Sequence, residues 1–234
     1  MWYRYEMHLH TNLCSACARS TPEEMVEAYH RAGYAGLVVT DHFYFGNTCV
    51  PRSWPWERFV RQYDEAYRRA KTAGERYGMD VLFGLEHHYG SGKELLVYGI
   101  DLAFLLANPD LVRVPVDAFV DRVHRAGGYI AMAHPYRDRD YIDRTVKPRP
   151  ELLDGAEVYN YFNTPAENAR AETLAREFGL GRLSGADVHD ARSASIGQAG
   201  LAFPCRVADN RALAKALFAG TGRLIIDGRI EGEA

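Results

Sequence analysis

Residues 21–42 read TPEEMVEAYHRAGYAGLVVTDH, and they hold one complete helix-to-strand unit. Thr21-Pro22-Glu23-Glu24 supplies an N-cap, a proline in the first helical turn and a capping-box glutamate. Gly33 is the stop, and the apolar run Ala35–Thr40 then delivers Asp41-His42 at its end. The same device recurs at Thr164-Pro165-Ala166-Glu167, ahead of a helix ending near Gly179. Further helices are expected from Trp56 to Tyr77, and across Val116, Phe119, Val120 and Val123 up to Gly127-Gly128. Strand-like runs lie at Tyr3–Leu9, Val81–Leu85, Leu95–Ile100, Tyr129–Ala133, Ala156–Tyr159, Leu183–Ala186 and Leu224–Ile226. Strands alternating with helices, the strands nearly all apolar, predict an α/β fold with a parallel sheet covered by helices.

The chain has 234 residues, 47% hydrophobic and 25% charged, enough for one sizeable core without disulfides. At this length one barrel-like domain over 1–234 is expected, with an open doubly wound sheet as the alternative. No GxGxxG or GxxxxGK[ST] loop follows a strand, which argues against a nucleotide-binding fold of those kinds. Lys and Arg number 28 against 31 Asp and Glu, a net charge of -3. Stable nucleic-acid binding through phosphate contacts is therefore not expected. With no long apolar span, no visible signal peptide and only four cysteines, no membrane contact and a cytoplasmic location are expected.

The polar residues that stand out fall at strand ends. His8 and His10 sit two apart on one strand face. Asp41-His42, Glu86, His134 and the pair Asp187 and His189 close four other apolar runs. A lone histidine after a strand is most often structural. Five strands delivering imidazoles and carboxylates at the same end point instead to a metal centre, with the donor set of zinc, manganese or iron. Seven candidate ligands (His8, His10, His42, Glu86, His134, Asp187 and His189) exceed what one ion needs, so two or three divalent ions are expected.

In order and spacing, His8-Leu9-His10-Thr11, Thr40-Asp41-His42, Gly84-Leu85-Glu86, Ala133-His134-Pro135 and Ser184-Gly185-Ala186-Asp187-Val188-His189 resemble the motifs of the polymerase and histidinol phosphatase (PHP) family. The stretch from Cys17 to His42 is similar to its stand-alone metal-dependent phosphoesterases. The resemblance implies a distorted seven-stranded (β/α) barrel of TIM-like type with a trinuclear centre at the strand C-terminal ends. It implies a first ion held by His8, His10, Glu86 and Asp187, and a second bridged by Glu86 and held by His134. His42 and His189 would hold the third, and Asp41 would be a catalytic acid/base or a partner of the ligands. The chain departs from the family at Ser15, Ala16 and Leu96, where relatives often place ligands.

Arg137, two residues past His134, suits a substrate phosphate, since a guanidinium fork matches phosphoryl oxygens. Asn160 and Arg19 are weaker substrate-binding candidates. Cys14-x-x-Cys17 lacks the helix and second half a redox motif needs; Cys17 or His88 are reserve ligands. Trp54 and Trp56 suit either base stacking or anchoring of the loop Phe43 to Pro55. The expected function is hydrolysis of a small phosphate ester, nucleotide or sugar phosphate, by a metal-bound hydroxide. The alternatives are an amidohydrolase-like C–N or lactone hydrolase on the same centre, and a non-catalytic PHP module.

Overall fold

The computed structural model describes residues 1–90 and 92–233. In chain order the strands are β1 (Tyr3–Leu9), β2 (Gly36–Val39), β3 (His42–Phe43), β4 (Asp80–Gly90), β5 (Lys93–Tyr98), β6 (Tyr129–Met132), β7 (Gly155–Asn160), β8 (Gly181–Gly185), β9 (Ala199–Phe203), β10 (Arg223–Ile226) and β11 (Arg229–Ile230). The α-helices are α1 (Pro22–Arg31), α2 (Trp56–Glu75), α3 (Leu102–Ala107), α4 (Val116–Arg125), α5 (Pro165–Phe178) and α6 (Asn210–Phe218). One sheet runs in the order β11-β10-β9-β1-β2-β4-β5-β6-β7-β8, with β3 paired to β4 beside it.

The fold is mixed α/β, as expected, but neither the seven-strand count nor the all-parallel sheet matches what is observed. The sheet has eleven strands among the described residues. Strands β1-β2-β4 and β6-β7-β8 pair in parallel, whereas β5 runs antiparallel to both β4 and β6. Strand β9 is antiparallel to β1 and to β10. The antiparallel members follow from short connections. Only two residues separate β4 from β5, too few for a helical crossover, so the chain must turn back.

The sheet curls until its far end meets β1. Val188, just past β8, bridges Leu9 in parallel; His10 N–H donates to Val188 O at 2.9 Å, and Val188 N–H to His8 O. Ser184 on β8 adds a bond to Ile225 O and accepts one from Gly200 N–H. Through this curl, elements far apart in the chain converge on His8 and His10.

Both expected capping boxes form, on Thr21–Glu24 and Thr164–Glu167. Each cap is worth about 1 kcal/mol of helix stability. Gly179 ends α5 in the left-handed conformation, φ 65°. Helix α2 buries Phe59, Val60, Tyr63, Ala66, Ala70 and Ala73. Trp56 donates its Nε1–H to Leu105 O and packs on Phe43 and Phe59, so it anchors the loop after β3. Trp54 instead carries the Arg58 guanidinium over its ring. Among the described residues, no helix is long and apolar enough to cross a membrane.

Candidate metal centre

Register places the cluster. Strand β3 pairs with β4 so that His42 lies opposite Glu86. Along β1, residues of even number share one face, and His8 and His10 reach the cluster wholly buried. His134 follows β6 and Asp187 follows β8, both with left-handed backbone (φ 29° and 52°), a strained geometry kept where tertiary contacts enforce it. Glu86 Oε1 is 3.2 Å from His8 Nε2 and 3.2 Å from His134 Nε2; Glu86 Oε2 is 2.7 Å from His42 Nδ1. Asp187 Oδ1 stands 3.1 Å from His10 Nε2 and 3.4 Å from His8 Nε2. His189 joins His10 and His42, its ring stacked on His10 at 4.2 Å. All seven expected ligand residues thus converge.

Residues behind them set the tautomers. His8 Nδ1–H donates to Glu157 Oε1 at 3.1 Å, which turns Nε2 toward the cluster. Ser15 Oγ donates to Asp41 Oδ1 at 2.6 Å and accepts the His42 backbone N–H at 3.0 Å. Its remaining lone pair accepts from His10 Nδ1 at 3.1 Å, so Nε2 of the neutral His10 is a bare lone pair. His189 Nδ1 donates to Asp187 O, with the same result. The Nε2 atoms of His8 and His10 then face one another at 3.0 Å. At that distance a shared proton or a metal cation has to lie between them. His42 Nδ1 and Glu86 Oε2 are buried and make no hydrogen bond. These are the donors of a metal site, and they fit divalent ions.

Electrostatics agree. Burial works against the charge of Glu86, but His8 and His42 beside it outweigh this and hold its carboxyl well below the usual range. Burial likewise opposes ionisation of Asp187, and His8 and Arg137 overcome it. Burial, then His189 and His42, push His10 well below the ordinary histidine range, which keeps its imidazole neutral and ligating.

Two residues of this centre were not expected from the sequence. Glu157 lies mid-strand in β7, fully buried, and accepts from His8 Nδ1, His134 N–H and Asn160 Nδ2. Glu94 on β5 stands 3.6 Å from both His42 Nδ1 and His134 Nε2, and forms a potential ligand group with His42 and Glu86. Strand β5 enters the sheet at the centre's end, so its donor sits at the strand's start; a search of strand C-termini passes over it. Glu94 pairs with His88 in the ladder and Leu96 with Glu86, so Glu94 shares the inward face with Leu96, one step nearer the cleft.

The other expected residues divide. Asp41 is fully buried, accepting from Thr11 N–H, Thr11 Oγ1 and Ser15 Oγ, while Tyr63 OH holds its backbone carbonyl. Burial raises its carboxyl to about 6, against the pull of those hydrogen bonds. Asn160 is also fully buried, placed behind Arg137 rather than on the cleft wall. Arg137 Nη1 binds Asp187 Oδ2 at 2.6 Å, while its Nε and Nη2 reach Asn163 and Asn160. Two adjoining clefts of about 520 and 630 Å³ open over the cluster and share Cys17, Arg137, Tyr141, Asp187 and His189. Arg19 lines the first; His88 and Glu94 line the second. Cys17 is a free, exposed thiol, and Cys14 a buried one, so they form no disulfide.

The PHP domain profile matches residues 6–179. The chain belongs to the PHP family. It is 33% identical over 96 residues to a probable histidinol-phosphatase of Deinococcus radiodurans, a stretch covering 39% of this chain and 35% of that one. The chain therefore matches about a third of the length of this curated relative. Among solved structures, it resembles a two-domain protein of Bacteroides vulgatus containing a predicted PHP-like metal-dependent phosphoesterase. That match has TM-score 0.72 and 14% identity, covering 97% of this chain and 65% of the other. It also resembles the lesion-specific endonuclease EndoQ of Pyrococcus furiosus, with TM-score 0.63 and 10% identity, covering 94% and 56%. Likeness at such identity is a likeness of fold.

Proposed function

We propose that this PHP domain is a metal-dependent phosphoesterase that hydrolyses a small phosphate ester of the nucleotide or sugar phosphate class. The observation that carries this reading is the convergence of His8, His10, Glu86, His134, Asp187, His42 and His189 in overlapping ligand groups, roofed by an arginine-lined cleft. His8, His10, Glu86 and Asp187 would hold one ion, Glu86 and His134 a second, and His42 and His189 a third. Divalent ions bound there supply a nucleophilic water at neutral pH and neutralise charge on the phosphoryl oxygens.

The chain's own groups do the rest. Arg137, fixed by Asp187 and Asn160, keeps donors toward the cleft for a phosphoryl oxygen, and Arg19 extends the positive wall. Asp41 acts through Ser15 to hold His10 and the His42 backbone, the positioning role of the two expected for it. Glu157 does the same for His8 and His134. The arginines favour a phosphoryl substrate over a C–N or lactone bond, which needs no anion clamp. The net charge of -3 supports a small anion over a nucleic-acid polymer.

The test is phosphate release by protein stripped of metal and reloaded with Mn²⁺ or Zn²⁺, across nucleoside monophosphates, sugar phosphates, a diester and duplex DNA. Metal-dependent turnover of a small ester, abolished in His134→Ala with an unchanged circular dichroism spectrum, supports the reading. No release from any small ester by fully loaded protein rejects it.

A further inference from the structure

We propose that the basic pocket between the start of β5, the loop after His134 and helix α5 is an anion site apart from the metal centre, and that it takes a phosphate-class anion. Its volume is about 210 Å³. Sites that enclose a drug-sized ligand measure roughly 300–1,000 Å³, so this one suits a single phosphoryl group. Lys93, Arg137, Arg144, Lys147 and Arg170 line it, against one acid, Asp138. This excess of cations stands in a chain whose net charge is -3. Ile142, Val146 and Pro148 complete the wall with apolar surface, which focuses the field of the charges.

Two of the five cations already have a carboxylate: Arg137 pairs with Asp187, and Arg144 with Asp138. Among the described residues, Lys93, Lys147 and Arg170 have none. Lys93 Nζ donates to Pro135 O at 3.3 Å and Lys147 Nζ to Arg144 O at 3.5 Å, while the Arg170 guanidinium lies over the Tyr136 ring, 4.2 Å from its centroid. Donors on Lys93 and Arg170 therefore stay available, and an ammonium beside a guanidinium fork matches phosphoryl oxygens. Burial first, then the charges of Arg170 and Lys147, hold the Lys93 amine below the ordinary lysine value, even with Asp138 nearby. An anion among the three relieves that repulsion. The frame is fixed in advance. Glu167 accepts Asp138 N–H at 2.7 Å and Arg139 Nη1 at 2.9 Å, which ties the loop to α5. Buried Ile142 closes on Gly92, where a Cβ would stand 2.9 Å from its Cγ1.

The experiment is calorimetric titration of the metal-loaded protein with inorganic phosphate. One bound equivalent is expected to weaken about tenfold or more in the double variant Lys93→Met, Arg170→Met, which keeps apolar stems and removes both charges. Lys93 is half-buried and Arg170 exposed, so circular dichroism and Tm should not change. His134→Ala should leave this equivalent in place while removing any phosphate held by the metals, so failure here and failure of the phosphoesterase reading show separately. Kinetics identify the source of the anion. A KM raised by the double variant only for esters carrying a second phosphate supports the site as a holder of the substrate's other phosphoryl group. A kcat that responds to added phosphate in the parent but not in the variant supports it as a site for the free anion. The proposal is overturned if no phosphate equivalent responds to the double variant, or if the one that responds also vanishes in His134→Ala.

Discussion

Glu157 Oε1 lies 3.1 Å from His8 Nδ1, with neither side chain reached by solvent. The other carboxylate oxygen accepts the His134 N–H and Asn160 Nδ2, so Glu157 meets only donors. In Glu157→Gln an amide N–H must face one of them. A buried donor left opposing a donor costs about 1–3 kcal/mol. A lower denaturation midpoint in urea is expected, with metal affinity reduced roughly 10–100-fold as His8 loses its orienting partner. An unchanged metal Kd would show that His8 needs no such support.

Asp41 reaches His10 only through Ser15. Asp41→Asn should therefore weaken metal binding while leaving turnover at saturating metal close to the parent. A catalytic acid would behave differently: its replacement would remove one limb of the pH–kcat profile at every metal concentration. That profile, recorded in saturating Mn²⁺, decides between the two roles.

Gly185 ends β8 against the same pair. A Cβ placed there would stand 2.6 Å from His8 Cβ and closer still to Glu157 Oε1. Gly185→Ala has to displace His8 or Glu157, and such overpacking costs about 1–3 kcal/mol. Lower Tm together with lost metal equivalents is expected. A variant with normal Tm and full metal content would mean that the strand end yields at no cost.

Asp64 offers a pH test away from the centre. Burial on α2 raises its carboxyl above the ordinary aspartate value, against the pull of Arg68. The folded protein therefore binds this proton more tightly than the unfolded chain does. The resulting stability is fully present below about pH 4 and is lost as pH rises through the folded value. Asp64→Asn removes that loss. Its Tm should exceed the parent's at pH 8, and the gap should close as pH falls toward 4. An equal gap at both pH values would exclude burial of the charge as the cause.

Much of the centre was legible residue by residue. His8, His10, His42, Glu86, His134, Asp187 and His189 each stand in or just after a strand-like apolar run, and that local pattern survives into the fold. The helix caps at Thr21 and Thr164 were legible for the same reason, since a cap is a contact between neighbours three residues apart. Ser15 read as a missing ligand. In the structure it joins Asp41 to His10, a role visible only once β1 and the residue following β2 lie side by side.

The sequence by itself therefore determined most of the elements (though not β3, β9, β11, α3 or α6), the caps at Thr21 and Thr164, and seven residues suited to bind a cation, because periodicity and capping are short-range. The tertiary structure decided the direction of β5, the eleven-strand curl and the places of Glu94 and Glu157. These depend on pairings such as Glu157 with His8, 149 residues apart, and Glu6 with Ala186, 180 apart. No local pattern encodes such pairings; they form only when the sheet curls far enough for its last parallel strand to meet its first.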